Sequence, residues 1–336
     1  MKVIVFGAKG WIGSQFVPIL KKEKHIVIET DVRADNEVEV AKLLDIHQPT
    51  HVVSFIGRTH GEGYTTIDYL ELPGKLELNV RDNLYGPITL ALLCSTRGIH
   101  YTYLGTGCIF LADDPTKSSY KEDALPDFFG SSYSVVKGFT DRLMHTEIFK
   151  NYVLNVRIRM PITADKSPRS FITKITNYAK ICSIPNSMTV LPELLPIMYK
   201  MMMSKKVGTI NLTNPGVISH NEILEMYKEI VDPTFKWENF TVEEQNKVLL
   251  SKRSNNQMNT DKLLSWYPEI LPIKESIRNC LVEMAKTDAT TQIYPQYQIA
   301  QVVLINDIAT PSVVDVTMIE NIDKEYSNKE CGCTIV

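Results

Sequence analysis

The strongest constraint on the fold lies at the amino terminus. An apolar run from Lys2 to Ala8 ends in Gly7-Ala-Lys-Gly10-Trp11-Ile12-Gly13, and a helical stretch follows to about Lys22. A buried strand that passes through three such glycines into a helix is the opening unit of a dinucleotide-binding sheet. The first glycine makes the tight turn, the second admits pyrophosphate close to backbone N–H groups, and the third lets the helix lie on the strand. Gly7, Gly10, Trp11, Ile12 and Gly13 are therefore candidate cofactor contacts.

The pattern then alternates. A second strand runs over 25–30 and ends at Asp31-Val-Arg33. An acid there suits the adenosine ribose hydroxyls, and a guanidinium suits a 2′-phosphate, so Asp31 and Arg33 together point to NADPH. A helix over 38–46 leads to a third strand at 51–57 and then to Arg58-Thr-His60-Gly-Glu-Gly63, a polar loop at a strand's carboxyl end, where α/β ligands lie. Residues 75–97 form one long predicted helix with Asn79 and Asn83 a turn apart. Tyr101 to Thr106 reads as a short buried strand that stops at Gly105-Thr106-Gly-Cys108. Gly130-Ser-Ser-Tyr133-Ser-Val-Val-Lys137 then opens a helix, and its i, i+4 spacing puts a phenol and an ammonium on one face. A lysine beside a tyrosine favours the phenolate and eases proton exchange, while the Thr106 hydroxyl holds a carbonyl against that phenol.

Another strand spans 153–160 and ends at Pro161. Alternating strands and helices to this point predict an α/β fold with a Rossmann-type, doubly wound parallel sheet over 1–160. After Pro161 the character changes: a helix starts within 166–174, 184–190 is extended, a last strand begins at Thr209, and Ser219-His-Asn-Glu222 has the form of a capping box. Residues 161–286 are expected to form a smaller C-terminal substrate lobe.

Bulk properties exclude several classes. A net charge of −3 leaves no electrostatic footprint for nucleic acid. No run of 18 apolar residues exists, so neither a transmembrane segment nor a signal peptide is expected. Six cysteines without metal-ligand spacing read as reduced thiols in a cytoplasmic protein that holds no metal. Residues 287–336 carry seven acids and two bases and no obvious domain, which predicts a disordered or loosely attached extension. It ends Cys331-Gly-Cys333-Thr-Ile-Val336, similar to a prenylation box at Cys333, although valine is not a usual last residue and the upstream stretch is acidic; a chance tail is the other reading.

Several of these segments together carry a family resemblance. They are Gly7-x-x-Gly10-Trp-Ile-Gly13, Thr106-Gly-Cys108-Ile-Phe110, Tyr133-x-x-x-Lys137, Arg157-Ile-Arg-Met-Pro161-Ile and Phe171-Ile-Thr-Lys174-Ile, then Ile184-Pro-Asn186-Ser-Met, Asn214-Pro-Gly-Val-Ile-Ser-His-Asn-Glu-Ile223 and Arg253-Ser-Asn-Asn256. On these, residues 1–286 resemble the bifunctional 3,5-epimerase/4-reductases that make UDP-L-rhamnose from UDP-4-keto-6-deoxyglucose in plants and some giant viruses. The resemblance implies an extended short-chain dehydrogenase/reductase using NADPH and a substrate supplied by an upstream 4,6-dehydratase; the sequence leaves the oligomeric state open, with a homodimer one option because short-chain reductases commonly dimerise through helices. It also implies roles. A C4 ketone acidifies the protons on C3 and C5; Cys108 would be the base that removes them and Lys174 the acid that returns them from the other face. Tyr133 would protonate the reduced ketone, and Lys137 would tune Tyr133 and hold the nicotinamide ribose. Arg58, His60, Asn83, Asn186 and Arg253 are the expected substrate contacts. Two rivals stand beside this reading. A plain dTDP-4-dehydrorhamnose reductase has Asp-Tyr where this chain has Gly107-Cys108, and a non-catalytic NADP-binding regulatory subunit has no need of the tyrosine–lysine pair that this chain keeps.

Overall fold

The computed structural model describes residues 1–290, with side chains to Lys286. The expected loose extension and the lipid-like ending at Cys333 lie outside the described residues. Six strands build one sheet: β1 (Lys2–Phe6), β2 (Ile26–Thr30), β3 (His51–Ser54), β4 (His100–Thr106), β5 (Val153–Ile158) and, much later in the chain, β8 (Gly208–Asn211). Their order is β2-β1-β3-β4-β5-β8, and every neighbouring pair is parallel. All of β3 and β5 and the apolar part of β1 are buried, because helices cover both faces. The Rossmann-like architecture read from the sequence is the architecture of the protein.

The chain winds outward from β1 to the edge strand β2, then crosses back to β3 on the far side of β1. That reversal opens a crevice at the carboxyl ends of β1 and β3. The helix Gly13–Lys22 lies on one face with Phe16, Val17 and Leu20 in the core, and the helix Glu37–His47 lies elsewhere against Ile4 and Phe6.

Two features differ from the sequence pattern. The stretch read as one long helix is split into Leu76–Val80 and Gly86–Ser95, joined by a π-helical turn at Arg81–Tyr85. Pro87 explains it. Its nitrogen cannot donate to the Asn83 carbonyl one turn back, so the Gly86 N–H reaches Arg81 O instead, and Thr140 Oγ1 takes Asn83 O at 2.6 Å. Second, residues 161–286 do not stay together. They begin a two-stranded sheet, β6 (Pro161–Ile162) with β7 (Thr189–Val190), and then return to the main sheet. There the helix Leu191–Met203 packs Leu194, Met198 and Met201 against Val3, Phe16 and Val156, and β8 pairs with β5. The smaller layer is made by the helices Phe171–Thr176, His220–Ile230 and Ile273–Thr290, which bury Ile172, Ile223, Ile277 and Leu281 around Ile162 and Met188. The capping box is formed: Glu222 N donates to Ser219 Oγ at 3.2 Å, and Ser219 N to Glu222 Oε2 at 2.8 Å.

Candidate active site

The crevice beyond β1 and β3 is a cleft of ≈ 470 Å³, lined among others by Gly7, Gly10, Asp31, Arg33, Arg58 and His60. That volume is in the range of a small-molecule site. The glycine turn is built for close approach. Gly7 sits at φ +74°, and a Cβ on Gly13 would stand 2.1 Å from the Gly7 carbonyl oxygen. The helix that follows has no side-chain cap, which leaves the N–H groups of the turn to meet an anion. Trp11 and Ile12 lean on the core beneath the turn, and the buried Trp11 Nε1–H has no acceptor.

On the opposite wall three guanidiniums surround two carboxylates. Arg33 Nη2 reaches Asp35 at 2.8 Å and Asp82 at 3.2 Å; Asp82 also receives Arg58 Nε at 2.6 Å and Arg81 Nε at 3.1 Å. Burial opposes ionisation of Asp82, but the hydrogen bonds from Arg58 and Arg81 outweigh it and hold the carboxyl below its ordinary range. The group retains a surplus positive charge, which fits a phosphate at the ribose end of a dinucleotide. Asp31, exposed on the rim, pairs with Lys9 at 2.5 Å. Sequence reading missed Arg81 and Asp82, since neither sits in a recognisable motif.

The carbonyl corner lies at the carboxyl end of β4. Thr106 ends the strand, and its Oγ1 accepts from Cys108 N at 3.0 Å. The helix Ser132–Met144 brings Tyr133, buried, to the same corner, and Ser134 Oγ donates to Cys108 O at 2.7 Å, which ties the cysteine turn to the helix. Burial pushes the Tyr133 phenol up, and the neighbouring Cys108 adds to it, while the Thr106 hydroxyl works the other way. The phenol is thus held protonated. Lys137 does not favour its phenolate, contrary to the expectation from spacing. Its ammonium turns instead to β4, donating to Tyr103 Oη at 2.5 Å and lying 4.6 Å from that ring's centroid. The cause is burial: an enclosed ammonium takes the nearest acceptors, and β4 supplies them. Burial also pulls Lys137 down to about 7, against the opposing pull of Asp141 and Cys108.

Lys174 is on the helix Phe171–Thr176 in the smaller layer. Burial, then the charges of Arg169 and Arg253, lower it to about 8. Such an amine is able to give or take a proton near neutral pH. His60 accepts from Arg169 Nη1 at 2.6 Å, with burial and the charges of Arg169, Lys174 and Arg58 keeping it low, so it belongs to the same cationic neighbourhood. Arg253, one-quarter exposed, pairs with Asp68 at 2.5 Å.

Two expected substrate contacts are spent on the scaffold. Asn83 is fully buried, accepting from Arg58 N at 2.9 Å and donating to Arg58 O at 2.9 Å and Asn79 Oδ1 at 2.8 Å. It pins the loop after β3 and has no hydrogen left for a ligand. Asn186 is likewise buried, and its amide serves Ile184 O, Asn255, Asn256 N and Arg159. A buried pinning amide and a ligand-binding amide look alike in sequence. The segment 253–256 also turns inward: Asn256 Nδ2 donates to Gly107 O at 3.0 Å and Phe110 O at 2.8 Å, holding the cysteine turn from outside.

Comparison with known proteins gives a consistent placement. The profile of the NAD dependent epimerase/dehydratase family matches residues 3–179. The crystal structure of the L780 UDP-rhamnose synthase from Acanthamoeba polyphaga mimivirus is 53% identical, covers 84% of this chain and 99% of its own, and superposes with a TM-score of 0.82. An Arabidopsis thaliana protein, the bifunctional dTDP-4-dehydrorhamnose 3,5-epimerase/dTDP-4-dehydrorhamnose reductase, is 40% identical over 84% of this chain and 93% of its own length. A trifunctional Arabidopsis thaliana protein, a UDP-glucose 4,6-dehydratase, 3,5-epimerase and reductase in one, is 43% identical over 82% of this chain, which spans 41% of that longer protein. The chain belongs to the NAD dependent epimerase/dehydratase family, on the branch that holds the rhamnose-forming epimerase/reductases.

Proposed function

We propose that this chain is a bifunctional, NADPH-dependent 3,5-epimerase and 4-reductase that converts UDP-4-keto-6-deoxy-D-glucose to UDP-L-rhamnose. The observation that carries it is the meeting of two kinds of chemistry at the carboxyl end of β4: Thr106 and the protonated Tyr133 are the groups to hold a ketone, and Cys108, two residues past Thr106, is the group to take a carbon-bound proton. Lys174, on a helix of the smaller layer with its amine lowered to about 8, is the proposed partner acid. Gly107-Cys108 stands where a plain reductase has Asp-Tyr, and the likeness to the mimivirus and plant enzymes supports the same reading.

In this mechanism Thr106 and Tyr133 hold the C4 ketone. The Cys108 thiolate removes the C3 or C5 proton, the electron pair moving onto the C4 oxygen, and Lys174 returns a proton to the opposite face. NADPH, when held by the glycine turn, Asp31 and Arg33, supplies the hydride for C4. Tyr133 then gives its proton to the C4 oxygen, and Lys137, four residues on along the same helix, buried and lowered to about 7, is the proposed source of the proton that restores the phenol. His60 and Arg253 are proposed to meet the nucleotide diphosphate; Arg58, expected there too, is tied to Asp82 in the cofactor cleft and is proposed to serve the dinucleotide instead.

The wider setting is part of the proposal. The substrate comes from a 4,6-dehydratase, the activity fused to the longer plant relatives. A homodimer is supported by Leu92, Phe139 and Leu143, apolar side chains left exposed on two helices that pack together. A cytoplasmic site is supported by the four described cysteines, all free thiols. Among the described residues no helix is long and apolar enough to cross a membrane.

The test is proton exchange in deuterated water on the UDP- and dTDP-linked 4-keto sugars, with product identification after NADPH is added. Cys108→Ala abolishes exchange at C3 and C5 yet binds NADPH. Tyr133→Phe continues to exchange while NADPH oxidation falls by ~10²–10⁴. Exchange at the native rate in Cys108→Ala removes the thiol from the reaction and moves the base elsewhere, whereas no exchange at C3 and C5 in the native protein removes the epimerase assignment.

A further inference from the structure

Arg157 and Arg159 are the two largest fully buried side chains, two residues apart at the end of β5. Their circumstances differ. Arg157 is neutralised by Asp141 through a two-point pair, Nε to Oδ1 at 2.8 Å and Nη2 to Oδ2 at 2.6 Å. Arg159 has no carboxylate within ion-pair distance among the described residues. Its guanidinium donates to Gly107 O at 3.1 Å, Ser254 O at 2.6 Å, Ser254 Oγ at 2.9 Å and Asn186 Oδ1 at 2.5 Å, all neutral acceptors. Nε finds no acceptor, and Nη1 lies 4.0 Å from Cys108 Sγ.

A guanidinium cannot shed its proton to escape burial, so an enclosed one without a counter-charge is costly. Among the described residues, the only group touching Arg159 that is able to become an anion is the Cys108 thiol. The titratable groups around that sulfur are few among the described residues: Tyr133 and Lys137 from the helix Ser132–Met144, Tyr69 in the apolar cluster that Cys108 packs against, and Arg159 from beyond β5. Tyr133 is held neutral, and the Lys137 ammonium is directed at Tyr103. Arg159 is the one cation there whose charge is independent of pH.

We propose that Arg159 is the counter-ion of the Cys108 thiolate, a positioning residue that holds the sulfur in the ionised state needed to take a carbon-bound proton. The inference rests on the reading of Cys108 as the epimerisation base. The thiol proton leaves to solvent before turnover. The sulfur anion then accepts the C3 or C5 proton as the carbon's electron pair moves to the C4 oxygen, so no oxidant or reductant enters. Asn186 and Ser254 gain a purpose as well, since they aim the guanidinium at the cysteine turn.

A residue that merely braces the Gly107 carbonyl would give a different result from a counter-ion. The full-length protein is treated with iodoacetamide across pH 5–10, and modification of the Cys108 peptide is followed by mass spectrometry in the native protein, Arg159→Lys and Arg159→Gln, with melting temperature and NADPH titration as controls for folding. The expected native profile has Cys108 reacting at neutral pH faster than a free cysteine of ordinary ionisation. In Arg159→Gln the rate at pH 7 falls by ~10-fold or more and is recovered at alkaline pH, with exchange at C3 and C5 following the same curve. Arg159→Lys, which keeps the charge, is intermediate. A native Cys108 that reacts no faster at neutral pH than a free thiol overturns the proposal, whether or not Arg159→Gln folds. So does a folded Arg159→Gln with an unchanged alkylation profile. Neither result bears on whether Cys108 is the base, which Cys108→Ala decides separately.

Discussion

Arg33→Ala tests the cofactor cleft without touching the proton chemistry. The Arg33 side chain is 55% exposed, with Asp35 at 2.8 Å and Asp82 at 3.2 Å. Ion pairs that exposed contribute at most about 1 kcal/mol each, so exchanging them for a phosphate is cheap and deleting them leaves the fold standing. Asp82 still keeps Arg58 at 2.6 Å and Arg81 at 3.1 Å. The loss on substitution is one charge-assisted hydrogen bond to the 2′-phosphate, about 1.5–3 kcal/mol. Solvent at the rim and the nearby Arg81 place the value toward the low end, about 1.5–2 kcal/mol, or roughly 10- to 30-fold in Kd for NADPH. NADH has no such phosphate, so its Kd stays where it was. Fluorescence titration of both cofactors at two salt concentrations is the assay, and the NADPH penalty should shrink at high salt. Equal weakening of both cofactors, or no weakening of either, would refute the reasoning and move the phosphate contact to Arg81 or elsewhere.

Two further outcomes are expected. If Lys174 is the proton-returning acid, its ammonium is lost as pH rises through about 8; exchange measured as kcat/KM should fall above that pH and the limb should vanish in Lys174→Arg, whereas a flat profile to pH 9.5 would exclude the role. Gly13→Ala, a change that usually favours a helix by about 1 kcal/mol, should here reverse sign because its methyl would stand 2.1 Å from Gly7 O; lowered melting temperature with lost NADPH binding is expected, and a more stable, cofactor-competent variant would contradict the geometry.

Local features were readable from the residues and distant ones were not. Gly7, Gly10 and Gly13 act on backbone within one turn, and the buried Val3–Phe6 of β1 announces itself as an apolar run, so the opening of the parallel sheet was legible. The Ser219–Glu222 box is a four-residue pattern and formed as read. The preference of Lys137 for Tyr103 depends on a partner 34 positions away, beyond the reach of an i, i+4 argument. Asn83 and Asn186 looked like ligand contacts because an amide's type does not say which way it faces. Residues 161–286 showed their elements but not their sheet, since nothing local tells β8 to pair with β5. Arg159 did leave a signal: two arginines at strand spacing share a face, and a charge at the end of an apolar strand needs an explanation.

The arrangement also bears on the order of the two proposed reactions. Reduction destroys the ketone that makes the C3 and C5 protons acidic, so both inversions must precede hydride transfer. A site that reduced too readily would release a sugar with the wrong configuration. The structure ties the two sets of groups together: Ser134 Oγ to Cys108 O and Cys108 N to Thr106 Oγ1 leave the base, the carbonyl clamp and the Tyr133 helix moving as one piece. Lys174 is outside that piece, on a short helix of the smaller layer. On the proposed roles, the sugar is free to re-present its ring to Lys174 and Cys108 while C4 stays clamped by Thr106 and Tyr133. Selection for the fully inverted ring then falls to the fit of C4 against the hydride, because the clamp itself is the same for every epimer.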